Sequence, residues 1–232
     1  MCIRDSSYIM LENTLKNEIN IFPITVTMYR NEKYLNTNSK LMELIDQEET
    51  TGPQGIKNTS GQSLHPFQTL NTHLHEKEEY SFFYDWVNAC LENYYHTYRL
   101  NTEGLRVNLS WANVSPKMNE HRPHVHPNSW LSGIYYCTPN CPPTYFDTPL
   151  PHSRSGIVVM SNSKLSQNIW QCPSEPGTLI LFPSWLEHFT MPQMYSGTRM
   201  TISLNVMPVG LTSCAANLDN ADKKYGLIEN VY

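Results

Sequence analysis

The sequence predicts a mainly β protein with helices toward its N-terminus, and three observations carry this prediction. After residue 100, short apolar runs follow one another between Pro, Gly, Asn and Ser residues, a pattern typical of an antiparallel sandwich or barrel. Before residue 100, apolar residues recur at helical spacing in two segments, which indicates a supporting helical layer. The 232 residues, 40% of them hydrophobic, suffice for one core, and no repeat or linker divides the chain.

We therefore expect a single domain over residues 1–232. Residues 1–100 would form an N-terminal strand and a helical support layer, residues 101–210 the barrel, and residues 211–232 a C-terminal tail. Residues 1–7 show no periodicity, and the sequence leaves open whether they belong to the fold.

Three elements are predicted before the barrel. Residues 21–29 are rich in β-branched side chains and predict a strand, which Pro23 places at a sheet edge. Residues 38–47 predict a helix that begins at a possible capping residue, Asn38. Residues 76–98 predict the longest helix, because their apolar residues form one stripe with a period of 3.6. We interpret the aromatic residues of that stripe as core packing against a sheet.

The barrel strands are predicted from the apolar runs of the second half. They cover residues 105–114, 130–137, 144–146, 157–160, 178–182 and 198–207. Regularly spaced short strands with turn residues between them indicate antiparallel pairing.

The net charge of −5, without a run of Lys and Arg, argues against a general affinity for nucleic acid or for acidic membranes. No apolar stretch reaches the roughly 18 residues of a membrane span, and no basic segment followed by an apolar run opens the chain. We expect a cytoplasmic protein.

The six cysteines show no CxxC pair. A zinc clip at Cys137 and Cys141 is the alternative, but free thiols in a reducing cytosol are favoured.

The first group of chemically informative residues lies in residues 120–136. His124 and His126 are two apart before a strand rich in tyrosine. Residues i and i+2 of a strand point to the same face, so the two imidazoles would project together. Paired imidazoles on one face suit iron, zinc, copper or nickel.

The second group begins with a Gly-led apolar strand that ends at a Pro183-Ser184 turn, after which His188 opens another strand. Eleven residues later comes Arg199, which shares a strand face with Thr201, Ser203 and Asn205. A buried cation is costly unless it meets an anion, and a guanidinium fork fits a dicarboxylate. The alternative is a structural salt bridge between Arg199 and a core carboxylate.

The order of these motifs resembles that of the 2-oxoglutarate/Fe(II)-dependent oxygenases, in particular those with a His-x-His-Pro and a Ser-Gly-x-Tyr-Tyr motif. It is more distantly similar to the prolyl hydroxylases. The resemblance covers residues 105–208. It implies a double-stranded β-helix of the jelly-roll or cupin-like type, and an oxidoreductase that uses Fe(II), 2-oxoglutarate and dioxygen. Hydroxylation is the expected outcome, with halogenation and desaturation left open.

The resemblance also implies roles for residues of this chain. Three residues correspond to metal ligands: His124, His126 and His188. Arg199 corresponds to the residue that binds the distal carboxylate of 2-oxoglutarate, with Thr201 as a hydroxyl donor beside it and Tyr136 hydrogen-bonded to the same carboxylate. Tyr135 should face the opposite side of the sheet. On the preceding strand, Asn108 and Trp111 are candidates either for the pocket wall or for ordinary packing.

This chain departs from most of the superfamily, which has a carboxylate at the position of His126. Three neutral imidazoles leave the site one unit more positive and weaken its preference for iron. Glu120 or Glu187 could supply the carboxylate, but Glu187 neighbours His188 and should point away, and Pro123 lies between Glu120 and the histidine pair. We favour three histidines. The other histidines, His73, His75 and His152, are expected at the surface or in loops.

Two other function classes stay open at this stage. A cupin-like metal enzyme that does not use 2-oxoglutarate would share the histidines without needing Arg199. A non-enzymatic β-sandwich with a binding or structural role would be indifferent to a chelator. The sequence does not identify the substrate, the native metal or the oligomeric state. The substrate is expected to be a small molecule or a protein side chain, and loops 137–150 and 161–176 would shape the entrance that admits it.

Overall fold

The computed structural model describes residues 24–51, 66–139, 141–149, 168–192, 194 and 197–210. These ranges contain two α-helices, α1 (Tyr34–Gln47) and α2 (Ser81–Thr97), and eleven strands. The strands are β1 (Thr27–Arg30), β2 (Thr50–Thr51), β3 (Phe67–Thr69), β4 (Gly104–Ser115), β5 (His121–His124), β6 (Leu131–Tyr136), β7 (Thr144–Asp147), β8 (Ile169–Cys172), β9 (Thr178–Pro183), β10 (His188–Thr190) and β11 (Arg199–Val209). No helix in these ranges has the length and apolarity of a transmembrane segment.

The described strands form two sheets. The larger sheet has seven strands in the order β1-β9-β6-β11-β4-β3-β2, and the smaller has four in the order β5-β10-β7-β8. Every strand pair within them is antiparallel. The long pair of β4 and β11 forms the centre of the larger sheet, with β6 on the other side of β11. The prediction of a mainly β protein is confirmed.

One hydrophobic core lies between the helices and the outer face of the larger sheet. Leu41 of α1 and Phe83 of α2 belong to the same buried cluster as Tyr135 of β6 and Ile202 of β11. The rings of Phe83 and Tyr135 are 4.8 Å apart. Burying a Phe or Leu side chain stabilises the fold by about 1.5–3 kcal/mol, so the apolar stripe of α2 holds this helix on the sheet.

A second core lies between the two sheets. Phe146 of β7 and Cys172 of β8 pack with Ile180 and Phe182 of β9. The rings of Phe146 and Phe182 meet edge to face at 4.9 Å, a favourable aromatic geometry.

The N-terminal part of the chain contains other secondary-structure elements than those predicted. The prediction of N-terminal helices as the support layer is not borne out as stated, because besides the predicted strand, β1, the same part supplies β2 and β3 to the larger sheet. The helix predicted from residue 76 starts as two short 3-10 segments, and its α-helical part begins at Ser81.

Helix α1 begins at Tyr34, four residues before the predicted capping residue Asn38. Asn38 does not cap because its amide is used elsewhere: Nδ2 donates to the carbonyl of Cys137 over 2.6 Å, and Oδ1 accepts from the hydroxyl of Tyr135 over 2.6 Å.

Strands β5 and β8 were absent from the predicted runs, because they are short and polar. The strand predicted at 157–160 and the tail at 211–232 lie outside the described residues.

Candidate metal centre

Three histidines from β5, the segment that follows it and β10 converge in the space between the sheets. His124 ends β5, His126 follows two residues later, and His188 opens β10. One ring nitrogen from each lies within 4.8 Å of the others. The ring centroids are 5.3 Å apart for His124 and His126, 4.3 Å for His124 and His188, and 5.1 Å for His126 and His188.

The structure brings His124 and His188 together by pairing β5 with β10, in which the two residues are direct partners. The prediction that His124 and His126 share one strand is wrong in this respect, because β5 ends at His124. His126 is held instead by a hydrogen bond from its backbone N–H to the carbonyl of Ser184, over 3.0 Å. The turn between β9 and β10 therefore positions it.

Each of the three imidazoles has its Nδ1 atom within hydrogen-bond distance of an oxygen atom. The Nδ1 atom of each faces an oxygen: the carbonyl of Arg122 at 2.6 Å for His124, Oδ1 of Asn205 at 2.8 Å for His126, and the carbonyl of Leu186 at 3.0 Å for His188. An oxygen acceptor requires a proton on Nδ1, which leaves the lone pair of Nε2 free. Such partners are the usual support of metal-binding histidines.

The environment keeps His126 and His188 neutral. Burial, and after it the neighbouring His124, lower the pKa of His188 to about 3, against a raising effect of the Leu186 carbonyl. Burial also lowers the pKa of His126, with the Asn205 hydrogen bond opposing the shift. Neutral imidazoles are the form that binds a metal. The residues present therefore fit a divalent metal with three nitrogen ligands.

Arg199 opens β11 and is only 4% exposed. Its Nη1 donates a long hydrogen bond of 3.5 Å to the hydroxyl of Thr201, and its Nε is buried without a hydrogen-bond partner. Among the described residues it makes no salt bridge, so the predicted alternative of a core ion pair has no partner there. A buried guanidinium without an anion is costly.

One pocket between the sheets is lined by the three histidines and by Arg199. Its other walls come from both sheets: Gln68, Trp111, Asn113, His121, Ile134, Thr144, Phe189, Thr190, Thr201 and Ser203. No Asp or Glu is among these lining residues. Glu187 is exposed to solvent, and neither it nor Glu120 belongs to the histidine group.

Thr201 lies in the wall beside Arg199, whereas Tyr136 lies behind the wall. The Tyr136 hydroxyl shares a hydrogen bond of 2.7 Å with the hydroxyl of Thr144, which does line the pocket. The Tyr136 ring is 6.0 Å from the Arg199 guanidinium carbon. Tyr135 faces the helices, where it joins the outer core.

Trp111 lines the pocket and stacks on His126, with ring centroids 5.7 Å apart and planes at 21°. Asn108, which lies at a bulge in the pairing of β4 with β11, is not among the residues that line it. The sequence reasoning missed the role of Asn205 beside His126. Its shared strand face with Arg199 was the one available indication.

His73 and His75 do not belong to the histidine group. His75 shares a hydrogen bond of 2.9 Å between its Nδ1 and the Ser110 hydroxyl, and its ring is 5.7 Å from that of His73. His152 lies outside the described residues. His121 lines the pocket, and its ring centroid is 6.0 Å from that of His124.

Residues 109–205 match the model of a family described as "Putative 2OG-Fe(II) oxygenase". No curated protein matches the chain. Among solved structures, a prolyl-4-hydroxylase from Pseudomonas putida is similar with a TM-score of 0.55 and 10% identity, over 81% of this chain and 94% of that one.

HygX from Streptomyces hygroscopicus, solved with nickel and 2-oxoglutarate, has a TM-score of 0.52 and 10% identity, over 80% of this chain and 83% of that one. A prolyl hydroxylase from Trichoplax adhaerens, in complex with a peptide fragment of hypoxia inducible factor, has a TM-score of 0.51 and 13% identity, over 79% and 83%. The family match and this shared fold confirm the predicted resemblance to the 2-oxoglutarate/Fe(II)-dependent oxygenases.

Proposed function

We propose that this 2-oxoglutarate- and Fe(II)-dependent oxygenase is a hydroxylase whose metal is held by His124, His126 and His188. In this proposal Arg199, assisted by Thr201, binds the distal carboxylate of 2-oxoglutarate. The two sheets would form a double-stranded β-helix, and the chain a single domain. The enzyme class and its requirement for Fe(II), 2-oxoglutarate and dioxygen follow from the family match.

The observation that carries the proposal is the buried Arg199, which has no salt bridge within the described ranges and lies in the same pocket as the three histidines. The charge of a guanidinium at 4% exposure needs compensation. A carboxylate can supply it through two parallel N–H···O bonds. A dicarboxylate that reaches from Arg199 to the metal would satisfy the guanidinium and complete the coordination of the metal together.

When bound, Fe(II) and dioxygen would supply the oxidation, in which 2-oxoglutarate gives succinate and CO2 and one oxygen atom enters a substrate C–H bond. The protein's own residues would then bind and orient. The three Nε2 atoms fix the metal, Arg199 fixes the cosubstrate, and Trp111 restrains the His126 ring from one side. Tyr136 would act by orienting the Thr144 hydroxyl toward the cosubstrate.

The substrate is a small molecule or a protein side chain. Two similar structures illustrate both classes, since the Trichoplax adhaerens prolyl hydroxylase was solved with a peptide and HygX also with hygromycin B. Other residues that line the pocket, Gln68 and His121 among them, would contact it. Four described cysteines are free thiols, which supports a reducing, cytoplasmic setting.

The test is an anaerobic titration of the Fe(II)-loaded protein with 2-oxoglutarate, followed by visible absorbance. We expect a charge-transfer band in the wild type. The band should be absent from Arg199→Met at cosubstrate concentrations that saturate the wild type. Arg106→Met, which removes an exposed arginine from β4, should keep it.

The absence of any band from folded, metal-loaded wild-type protein would overturn the proposal. A normal band in Arg199→Met would overturn the role of Arg199 alone. Loss of the band in both arginine variants would indicate a nonspecific effect of lost positive charge.

A further inference from the structure

The three histidines differ in what holds their Nδ1 protons. For His124 and His188 the acceptor is a backbone carbonyl two residues away. For His126 it is the side-chain amide of Asn205, which is 79 positions away in sequence and lies 2.8 Å from Nδ1. His126 is therefore the one member of the described trio whose orientation depends on another side chain.

Asn205 is in a position to hold that ring firmly. It lies on β11, opposite Ser132 of β6 and Leu109 of β4, and it is 7% exposed. A bulge in the pairing of β11 with β4 falls directly after it. Since the strand is flanked on both sides, its side chain has little freedom to move away from His126.

We infer that Asn205 is a positioning residue, which holds His126 in the Nδ1–H tautomer with Nε2 directed at the metal. This inference rests on the proposed function of the histidine group. The amide can present either oxygen or NH2 to the ring. Only the oxygen is compatible with a free lone pair on Nε2, because an NH2 donor would force the proton onto Nε2.

The geometry also explains why His126 needs such a partner. It follows the end of β5, so no strand pairing fixes its backbone on both sides. Trp111 stacks on the ring but leaves it free to turn in its own plane. A hydrogen bond to Nδ1 removes that last freedom. Loss of an outer partner of this kind typically weakens metal binding by about 10- to 100-fold.

Two substitutions separate acceptor chemistry from packing. Asn205→Leu keeps the volume and removes the acceptor, whereas Asn205→Asp keeps an acceptor and cannot donate. The matched control is Asn93→Asp on α2, because Asn93 is exposed and its Oδ1 accepts one hydrogen bond from the Tyr29 hydroxyl. It introduces the same charge far from the pocket.

The first measurement is the ¹⁵N spectrum of the histidine rings in the metal-free protein at pH 7.5. We expect a pure Nδ1–H pattern for His126 in the wild type, Asn205→Asp and Asn93→Asp. Asn205→Leu should show a mixture of both tautomers. The second is Ni(II) affinity by calorimetry, which should fall about 10- to 100-fold in Asn205→Leu and stay at or above the wild-type value in Asn205→Asp.

An unchanged His126 tautomer in Asn205→Leu would overturn the inference, even if the Ni(II) affinity fell. So would an Asn205→Asp variant that binds Ni(II) as weakly as Asn205→Leu while remaining folded. Failure of the wild type to bind Ni(II) would instead contradict the proposed metal site. The ¹⁵N spectrum would still show whether Asn205 sets the tautomer of His126.

Discussion

Replacement of Arg199 by Met should leave the stability of the protein unchanged or slightly higher, and it should weaken the binding of the cosubstrate. In a structural ion pair, removing one partner costs about 3–5 kcal/mol because the other charge is left buried. Arg199 has no such partner among the described residues, and its one hydrogen bond to Thr201 is 3.5 Å long. We therefore expect the free energy of unfolding of the metal-free variant to stay within about 1 kcal/mol of the wild type, or to rise.

The affinity for 2-oxoglutarate should respond strongly to the same change. Truncating one member of a buried charge pair costs about 2–5 kcal/mol in binding. At about 1.4 kcal/mol per tenfold change, this raises the Kd by roughly 30-fold to several thousand-fold. Met is unbranched and fills similar space, so the loss would reflect the missing charge.

The assay combines urea unfolding of the metal-free proteins with anaerobic calorimetry of 2-oxoglutarate binding to the Ni(II)-loaded proteins. Arg106→Met, at an exposed position of β4, should leave both quantities unchanged. The reasoning is refuted if Arg199→Met loses about 3 kcal/mol or more of stability while its Kd for 2-oxoglutarate equals that of the wild type.

Three further predictions concern the site and the fold. The folded pKa of His188, about 3, lies below its ordinary 6.5, so the unfolded state binds more protons between these values and stability falls as the pH falls below 6.5. Between pH 6.5 and 5, the metal-free wild type should therefore lose up to about 1.5 kcal/mol more stability than His188→Gln, measured by urea unfolding. Equal losses in the two proteins would contradict the burial of His188. Ni(II) at about 100 times its Kd should stabilise the wild type by about 2.7 kcal/mol, and EDTA should reverse this; an equal gain in His188→Gln would place the metal elsewhere. Gly177→Ala should cost about 2–4 kcal/mol, because Gly177 has φ +83° and an added Cβ would clash with the Cβ of Tyr34. Gly104→Ala, with φ +145° and open space around it, is the control and should lose less stability in the same urea titration.

Much of the fold follows from local patterns. The period-3.6 stripe of residues 76–98 predicted both a helix, which the structure has at Ser81–Thr97, and the face that it buries. The apolar runs predicted β4, β6, β7, β9 and β11 within a few residues. Short polar strands such as β5 and β8 have no such pattern, because their conformation is imposed by the neighbours with which they pair.

The sequence by itself predicted the resemblance to the 2-oxoglutarate/Fe(II)-dependent oxygenases, because two motifs in the right order restrict both the fold and the chemistry. It also determined that Tyr135 and Tyr136 face opposite sides of a strand, because alternation is a local property. It could not determine how His126 is held, for β5 ends two residues before it.

Only the tertiary structure decided which groups meet in the pocket. The pairing of β5 with β10 brings His188 opposite His124, and β11 carries Asn205 to His126 across 79 positions. These contacts depend on strand register and on how two sheets pack, which no spacing within one segment encodes. The same packing leaves Arg199 buried in the pocket of the three histidines, and no carboxylate is among the residues that line this pocket.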